Sequence, residues 1–282
     1  MTSANNEQAE FWAGLAPTWV EIEDQLEQVS GLPGEIAMVR LGVQSGQQVV
    51  DLGCGTGRTT LELARRVAPT GRAVGVDIAA EMLVRARQHA VEARVDNVEF
   101  LQADVQADDM GERRFDAAYS RFGVMFYTDP VAAFLGVHGA IRPGGSLSFV
   151  CWQPLTANDW MLVPGMAAVS VLGQLPPMPG PEEPGPFSLA DPDRVRGILA
   201  SAGFGDVDVE PYSDFVVTTE DRIPEVSAIA ARVGAVREQL RDADQSTKDR
   251  VQAAIEDALR SRVEHGEVRA SRSFFAVTAK AA

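Results

Sequence analysis

Lysine is nearly absent: Lys248 and Lys280 are the only two in 282 residues, the arginines are scattered among acids, and the formal net charge is -15. Neutralising a phosphate backbone needs a clustered basic surface, so nucleic acid is not the expected substrate. Cysteine is equally scarce. Cys54 and Cys151 are too few for a disulfide framework or a zinc cluster, and they read as two packed thiols of a reducing interior. No apolar run reaches bilayer length, and the opening MTSANNEQAEFW has neither the basic n-region nor the apolar h-region of a signal peptide, so a cytoplasmic protein without a membrane span is expected. The three histidines, His89, His138 and His265, read as surface or packing residues, and no His/Cys/Asp cluster has metal-ligand spacing, so no metal is expected.

What is present is an ordinary globular composition, 45% hydrophobic and 23% charged, long enough to bury a sizeable core. From about Gln47 to Trp152 short apolar runs alternate with amphipathic stretches, the pattern of βα units on a parallel sheet. Strands are predicted at 47–52, 73–77, 98–102, 115–120 and 146–152. Thr60, Leu63, Ala64 and Val67 form one helical face after the first, and Ile78, Met82, Ala86 and Ala90 repeat it after the second. The stretch IRPGGS (141–146) reads as a turn.

Beyond Trp152 the texture changes. Eight of the sixteen prolines lie between Pro154 and Pro186, which predicts an irregular excursion over 154–187. Regular structure resumes with Asp191 as N-cap and Pro192 at the first helical position of a helix burying Val195, Ile198, Leu199 and Ala202. A strand at 206–212, helices from about Pro224 and from Ser246 (with Asp249 completing a capping-box-like pair), and a last strand at 272–281 follow. The expected organisation is an N-terminal helical lid (1–45), a core (46–217), a helical cap insertion (218–268) and a final core strand (269–282).

The stretch VVDLGCGTG (49–57) places Gly53, Gly55 and Gly57 at a strand-to-helix turn, where bare backbone and a helix N-terminus can meet a ligand. A dinucleotide fingerprint needs a small residue at 58, but Arg58 stands there. Asp51 closes the strand just before the turn, and a carboxylate there repels a pyrophosphate and welcomes a cation. S-adenosylmethionine, with an ammonium and a sulfonium and no phosphate, meets that demand. Asp77 ends the second strand, from which an acid can grip both ribose hydroxyls, and Asp104 follows the third, near an adenine amino group. Each acid alone is an ordinary turn residue or cap; three at successive strand tips point to one sheet edge.

With FLQADV, FDAAYSRFGVMFYTDP and AIRPGGSLSFVCW, these stretches resemble the successive motifs of class I S-adenosylmethionine-dependent methyltransferases, in the branch related to ubiquinone and menaquinone biosynthesis enzymes. The resemblance spans roughly Phe11 to Phe204. It implies an α/β, Rossmann-like seven-stranded sheet with helices on both faces and the last strand antiparallel. It also implies Gly53 and Gly55 under the methionine part, Asp77 on the ribose, Ile78 and Met82 beside the adenine, Asp104 and Val105 at the adenine edge, and Ser120 behind the methionine part. In that branch a segment like the one holding Trp12 and Trp19 folds over the cofactor. Phe122, Met125 and Phe126 suggest an apolar acceptor pocket, or equally a core beneath the loop, with Trp152 the stronger candidate for touching the substrate.

The expected activity is methyl transfer to a small hydrophobic or aromatic molecule, an alignment-driven displacement for which a general base is optional. Tyr127 and Arg121 are the nearest polar side chains for acceptor handling. Two other classes stay open: an NAD(P)-dependent oxidoreductase on a related sheet, and an S-adenosylmethionine-binding protein with a non-methylating role.

Overall fold

The computed structural model describes residues 3–176, 178–234 and 236–282. Two helices, α1 (Ser3–Glu21) and α2 (Glu23–Leu41), precede β1 (Gln48–Leu52), α3 (Arg58–Val67), β2 (Arg72–Asp77), α4 (Ala80–Ala93) and β3 (Val98–Gln102). Then come β4 (Phe115–Arg121), α5 (Pro130–Ala140), β5 (Ile141–Trp152), α6 (Asp159–Leu172), α7 (Pro192–Ser201) and β6 (Phe204–Thr219). The chain closes with α8 (Ile223–Val233), α9 (Arg237–Arg241), α10 (Gln245–Arg260) and β7 (Glu267–Ala281). Seven strands form one sheet in the order β3-β2-β1-β4-β5-β7-β6. The pairs among β1 to β5 are parallel and β7 runs antiparallel to β5, as the resemblance implies.

The parallel strands are covered on both faces, which their near-continuous apolar runs require. Successive side chains of a strand point to opposite faces. On β5, Ser148 donates to the Ala37 carbonyl of α2, 2.9 Å, while its neighbour Phe149 meets Phe134 of α5 at 5.5 Å between ring centroids. On β4 the Tyr119 hydroxyl likewise donates to Gly34 of α2. The predicted α3 stripe of Thr60, Leu63, Ala64 and Val67 is wholly buried. Strand order reverses between β1 and β4, the crevice where open α/β sheets hold ligands at the carboxyl ends of their strands.

Several sequence expectations are corrected. The expected lid 1–45 is two structures of different kind: α2 buries Ala37, Met38 and Leu41 and is a layer of the sheet domain, which leaves only α1 outside that layer. The stretch IRPGGS is not a loop before a strand but a bulge inside β5: Gly144 sits at φ +79° and the β4 register slips between Phe115 and Ala117. A Cβ at Gly145 would lie 2.7 Å from the Asp116 carbonyl, so only glycine fits the bulge. The excursion 154–187 is not irregular throughout, because α6 carries Pro164 inside it. The missing N–H removes a single ladder bond near the helix start, and burial of Val163, Ala167 and Ala168 outweighs it. Asp244, not Ser246, caps α10, its side chain accepting from Thr247 N at 2.7 Å. The α7 cap and stripe are as expected, Asp191 accepting from Asp193 N.

The chain divides into two compact units: Met1–Trp152, Pro181–Pro211 and Phe274–Ala282 form the first, Gln153–Gly180 and Tyr212–Ser273 the second. In the second unit α6, α8, α9 and α10 close over Val163, Ala168, Ile223, Leu240, Val251 and Ile255. Asn158, fully buried, ties that unit's chain ends together. Its amide donates to the carbonyls of Gln153, Pro154 and Ser273, and its oxygen accepts from Ser273 N and Trp160 Nε1. Asn158→Ala leaves several buried backbone groups unpaired and is expected to lower unfolding stability by on the order of 3 kcal/mol, read as a lower denaturant midpoint. An unchanged midpoint would show that the network carries no stability.

Candidate functional site

The glycine turn joins β1 to α3 at the sheet's switch point, and its three glycines do three different things. All are left-handed, at φ +67°, +54° and +79° for Gly53, Gly55 and Gly57. A Cβ at Gly53 would stand 3.0 Å from Gly123 Cα, so the turn and the loop after β4 approach backbone to backbone. A Cβ at Gly57 would meet Ala86 and Phe100 at 2.8 Å, which makes this glycine a packing requirement of α4 and β3. A Cβ at Gly55 would meet nothing within 4 Å. Gly55 therefore faces open space, and it is the position where a ligand can lie on the backbone.

Asp51 is fully buried beside this turn. Its Oδ2 accepts from the Thr59 and Thr60 hydroxyls of α3, 2.7 Å each, whereas Oδ1 is buried and has no hydrogen-bond partner among the described residues. Burial pushes the carboxyl up from 3.8 to about 6, against the pull of the two threonine hydroxyls and of Arg121, and the Asp77 charge adds to the rise. A carboxylate left half-satisfied in the interior is a strong attractor for a cation.

Asp77, at the tip of β2, accepts from Gly55 N at 2.8 Å and Ala79 N at 2.9 Å. It thereby fixes the open glycine and caps the chain into α4. Burial raises its carboxyl and these backbone donors lower it again. Asp104 is buried after β3, accepting from Gln106 N while its own N–H donates to Asp108, and Val105 is buried beside it. Ile78 is half-buried, its carbonyl accepting from Gln102. Met82 is buried against Ala16 and Ala79, with Trp12, Trp19 and Val20 packed on the same cluster. The aromatic face of α1 thus covers the start of α4.

The loop after β4 closes the other side. Ser120, fully buried, donates to the Leu52 carbonyl at 2.7 Å and accepts from Gly123 N at 3.3 Å, so it binds β4 to β1. Phe122 holds an unusual left-handed φ of +61° and stacks on Trp152, centroids 3.8 Å apart and planes within 12°. Met125 is only 1% exposed; its sulfur accepts from Trp152 N and its carbonyl from Gly185 N and the Ser188 hydroxyl. It is a core anchor of the loop and not a wall open to substrate. Trp12 meets Phe126 edge-on at 4.8 Å and Trp19 at 5.7 Å.

The partners of other side chains at this edge were not legible in the sequence. Arg121, read as a polar side chain for acceptor handling, is held by both Glu27 oxygens at 2.9 Å and clamps β4 to α2. His89, read as a surface or packing residue, lies 2.8 Å from the Thr56 carbonyl and 3.1 Å from Glu23 Oε1. Both are acceptors, so the ring satisfies them together only when both nitrogens carry protons. Thr59 and Thr60 lie eight and nine residues from Asp51, a spacing that carries no local signal.

The fold and this site define a Rossmann-like domain with a glycine turn and three acids along one sheet edge. Residues 49–145 match the family described as Methyltransferase domain. Among curated relatives, the ubiquinone/menaquinone biosynthesis C-methyltransferase of Hahella chejuensis is 36% identical over 107 residues, 38% of this chain and 43% of that protein. The chain thus spans under half the length of that relative. Among solved structures, the cyclase SpnF superposes with a TM-score of 0.52 at 18% identity, covering 88% of this chain and 79% of its own. Phosphoethanolamine N-methyltransferase 2 of Haemonchus contortus, in complex with S-adenosylhomocysteine, gives 0.51 at 18% identity over 86% of this chain and 51% of its own. The structural likenesses are likenesses of fold, and the stretch 49–145 resembles the class I S-adenosylmethionine-dependent methyltransferases.

The glycines separate in experiment. Gly57→Ala combines left-handed strain with a clash and is expected to cost about 3 kcal/mol or more of stability, against about 1–2 for Gly55→Ala, which bears the strain alone. Equal losses in thermal or denaturant unfolding would contradict these roles.

Proposed function

We propose that this chain is an S-adenosylmethionine-dependent methyltransferase acting on a small hydrophobic or aromatic acceptor. The observation that carries the reading is the buried Asp51 Oδ1, without a partner, beside the open backbone of Gly55. These residues fit the donor: an ammonium completes the Asp51 carboxylate, and no phosphate has to approach it. Gly53 and Gly55 underlie the methionine part. Asp77 takes the ribose hydroxyls, Ile78 and Met82 flank the adenine, and Asp104 and Val105 hold its edge. Trp19 and Trp12 cover the site from α1, in keeping with their packing on Ala79 and Met82.

When bound, S-adenosylmethionine supplies a methyl already activated on a sulfonium. The residues of the chain align and dry the site. Phe122, half-buried and stacked on the buried Trp152 at the tips of β4 and β5, offers a flat apolar surface suited to an aromatic acceptor. The Hahella relative is named for quinone biosynthesis, and a quinol-like acceptor is the chemistry that such a surface favours. No helix among the described residues is long and apolar enough to cross a membrane.

The SpnF likeness shows that this fold is found in a cyclase as well as in methyltransferases, so the reading rests on the site and on product detection. Calorimetric titration is expected to show binding of S-adenosylmethionine and S-adenosylhomocysteine and none of NADH, and a panel of phenols, quinols and amines should yield S-adenosylhomocysteine. NADH binding alone would make the protein an oxidoreductase; donor binding without product from any acceptor would favour a non-methylating role.

The pH dependence follows from Asp51. Between about 3.8 and 6 the folded protein keeps a proton that the unfolded chain has released, so this group's contribution to stability falls as pH rises through that window. Binding of the ammonium needs the carboxylate. Affinity for S-adenosylhomocysteine is therefore expected to be flat above about pH 7 and to fall by up to tenfold per pH unit below 6. Asp51→Asn should bind at least tenfold more weakly and show no such titration; a wild-type affinity independent of pH between 5 and 7 would contradict the assignment.

A further inference from the structure

Tyr127 follows the short helical turn Val124–Phe126 after β4. Its hydroxyl oxygen is buried and has no hydrogen-bond partner among the described residues. The ring is fixed edge-on to Phe134, centroids 5.9 Å apart at 82°, so the hydroxyl is held in one direction. The flanking residues place Tyr127 beside the ends of β2 and β3: Asp129 N donates to Gln106 Oε1 at 2.6 Å, and Phe126 meets Trp12, which packs on Ala79 and Met82. Burial raises the phenol above its ordinary range, and the charges of Asp104 and then Asp77 raise it further. The group stays a neutral phenol, able to donate. Neither acid takes its proton, since the hydroxyl has no hydrogen-bond partner among the described residues.

A buried hydroxyl without a partner is destabilising unless something outside the chain completes it. A phenylalanine would fill the same space beside Phe134 without that penalty. The orphaned donor lies on the segment whose neighbours contact the residues after β3 and the aromatic cover over the start of α4. We propose that the Tyr127 hydroxyl donates a hydrogen bond to the adenosine half of the bound methyl donor, making Tyr127 a cofactor-binding residue in addition to the acids. This rests on the function proposed above. It also divides the site into two electrostatic halves, with Asp51 answering the amino-acid end and Tyr127 the nucleoside end.

Tyr127→Phe separates this role from packing, because it removes only the oxygen. Affinities for S-adenosylhomocysteine and for methylthioadenosine, which lacks the amino-acid end, are measured by calorimetry for the wild type, Tyr127→Phe and Asp51→Asn, with the melting temperature of each unliganded protein. The expected result is about a tenfold loss for Tyr127→Phe with both ligands, a loss for Asp51→Asn with S-adenosylhomocysteine only, and an unliganded Tyr127→Phe that melts no lower than wild type. A wild type that binds neither ligand overturns the methyltransferase reading itself. A wild type that binds both, with Tyr127→Phe binding equally well, overturns the role of the hydroxyl alone, as does a loss confined to S-adenosylhomocysteine. A lowered melting temperature with unchanged affinity assigns the hydroxyl to the fold and likewise overturns the proposal.

Discussion

The half-satisfied carboxylate of Asp51 is the constraint on which the site depends. It is buried because β1 lies inside the sheet between β2 and β4, and burial alone would drive it to its neutral form. Two threonine hydroxyls from the first turn of α3 hold one oxygen and leave the other bare. Those hydroxyls are in reach only because the chain turns within five residues through three left-handed glycines. Asp77 then fixes the middle of that turn through Gly55 N. Loop shape and site charge are one arrangement: the backbone bends at the open glycine where the donor is proposed to lie, and the acids that set the bend are those proposed to attract it.

Around this centre the chain places apolar cover. The tryptophans of α1 pack on Ala79 and Met82, and Trp12 reaches Phe126 in the loop after β4. Met125 anchors that loop to the segment 185–188 and to Trp152. Phe122 bears a left-handed backbone that a bulky residue rarely adopts, and its stack on Trp152 is what repays the strain. A methyl transfer driven by alignment requires such rigid, dry surroundings more than it requires an acid or a base.

The sheet and its acids were legible in the sequence because their signals are local. Apolar runs of strand length, a glycine turn, and acids at successive strand tips all lie within a few residues of the structure they specify. The α7 cap at Asp191 and the α3 stripe are of the same kind. What escaped depends on contacts between distant segments. Thr59 and Thr60 acquire their meaning only when α3 folds back beside Asp51, and His89 only when α4 sets it between Thr56 and Glu23. Met125 and Ser120 read as site residues because they lie in the right motif, and the bonds that tie them to Trp152, Ser188 and Leu52 join segments the sequence does not place together. Proline density mistook the region of α6 for irregular chain, since one proline near a helix start removes little when the rest of the helix is apolar and buried.

The most direct test is a thermodynamic cycle between Asp51 and the ligand's amino group. S-adenosylhomocysteine and an analogue with that amino group replaced by hydrogen are titrated into the wild type and into Asp51→Asn at pH 7.5. If the buried carboxylate selects the donor through its cation, loss of the amino group weakens binding to the wild type by tenfold or more and leaves Asp51→Asn unaffected. The same factor of loss in both proteins would contradict this, and the half-satisfied Asp51 would then be a feature of the fold alone.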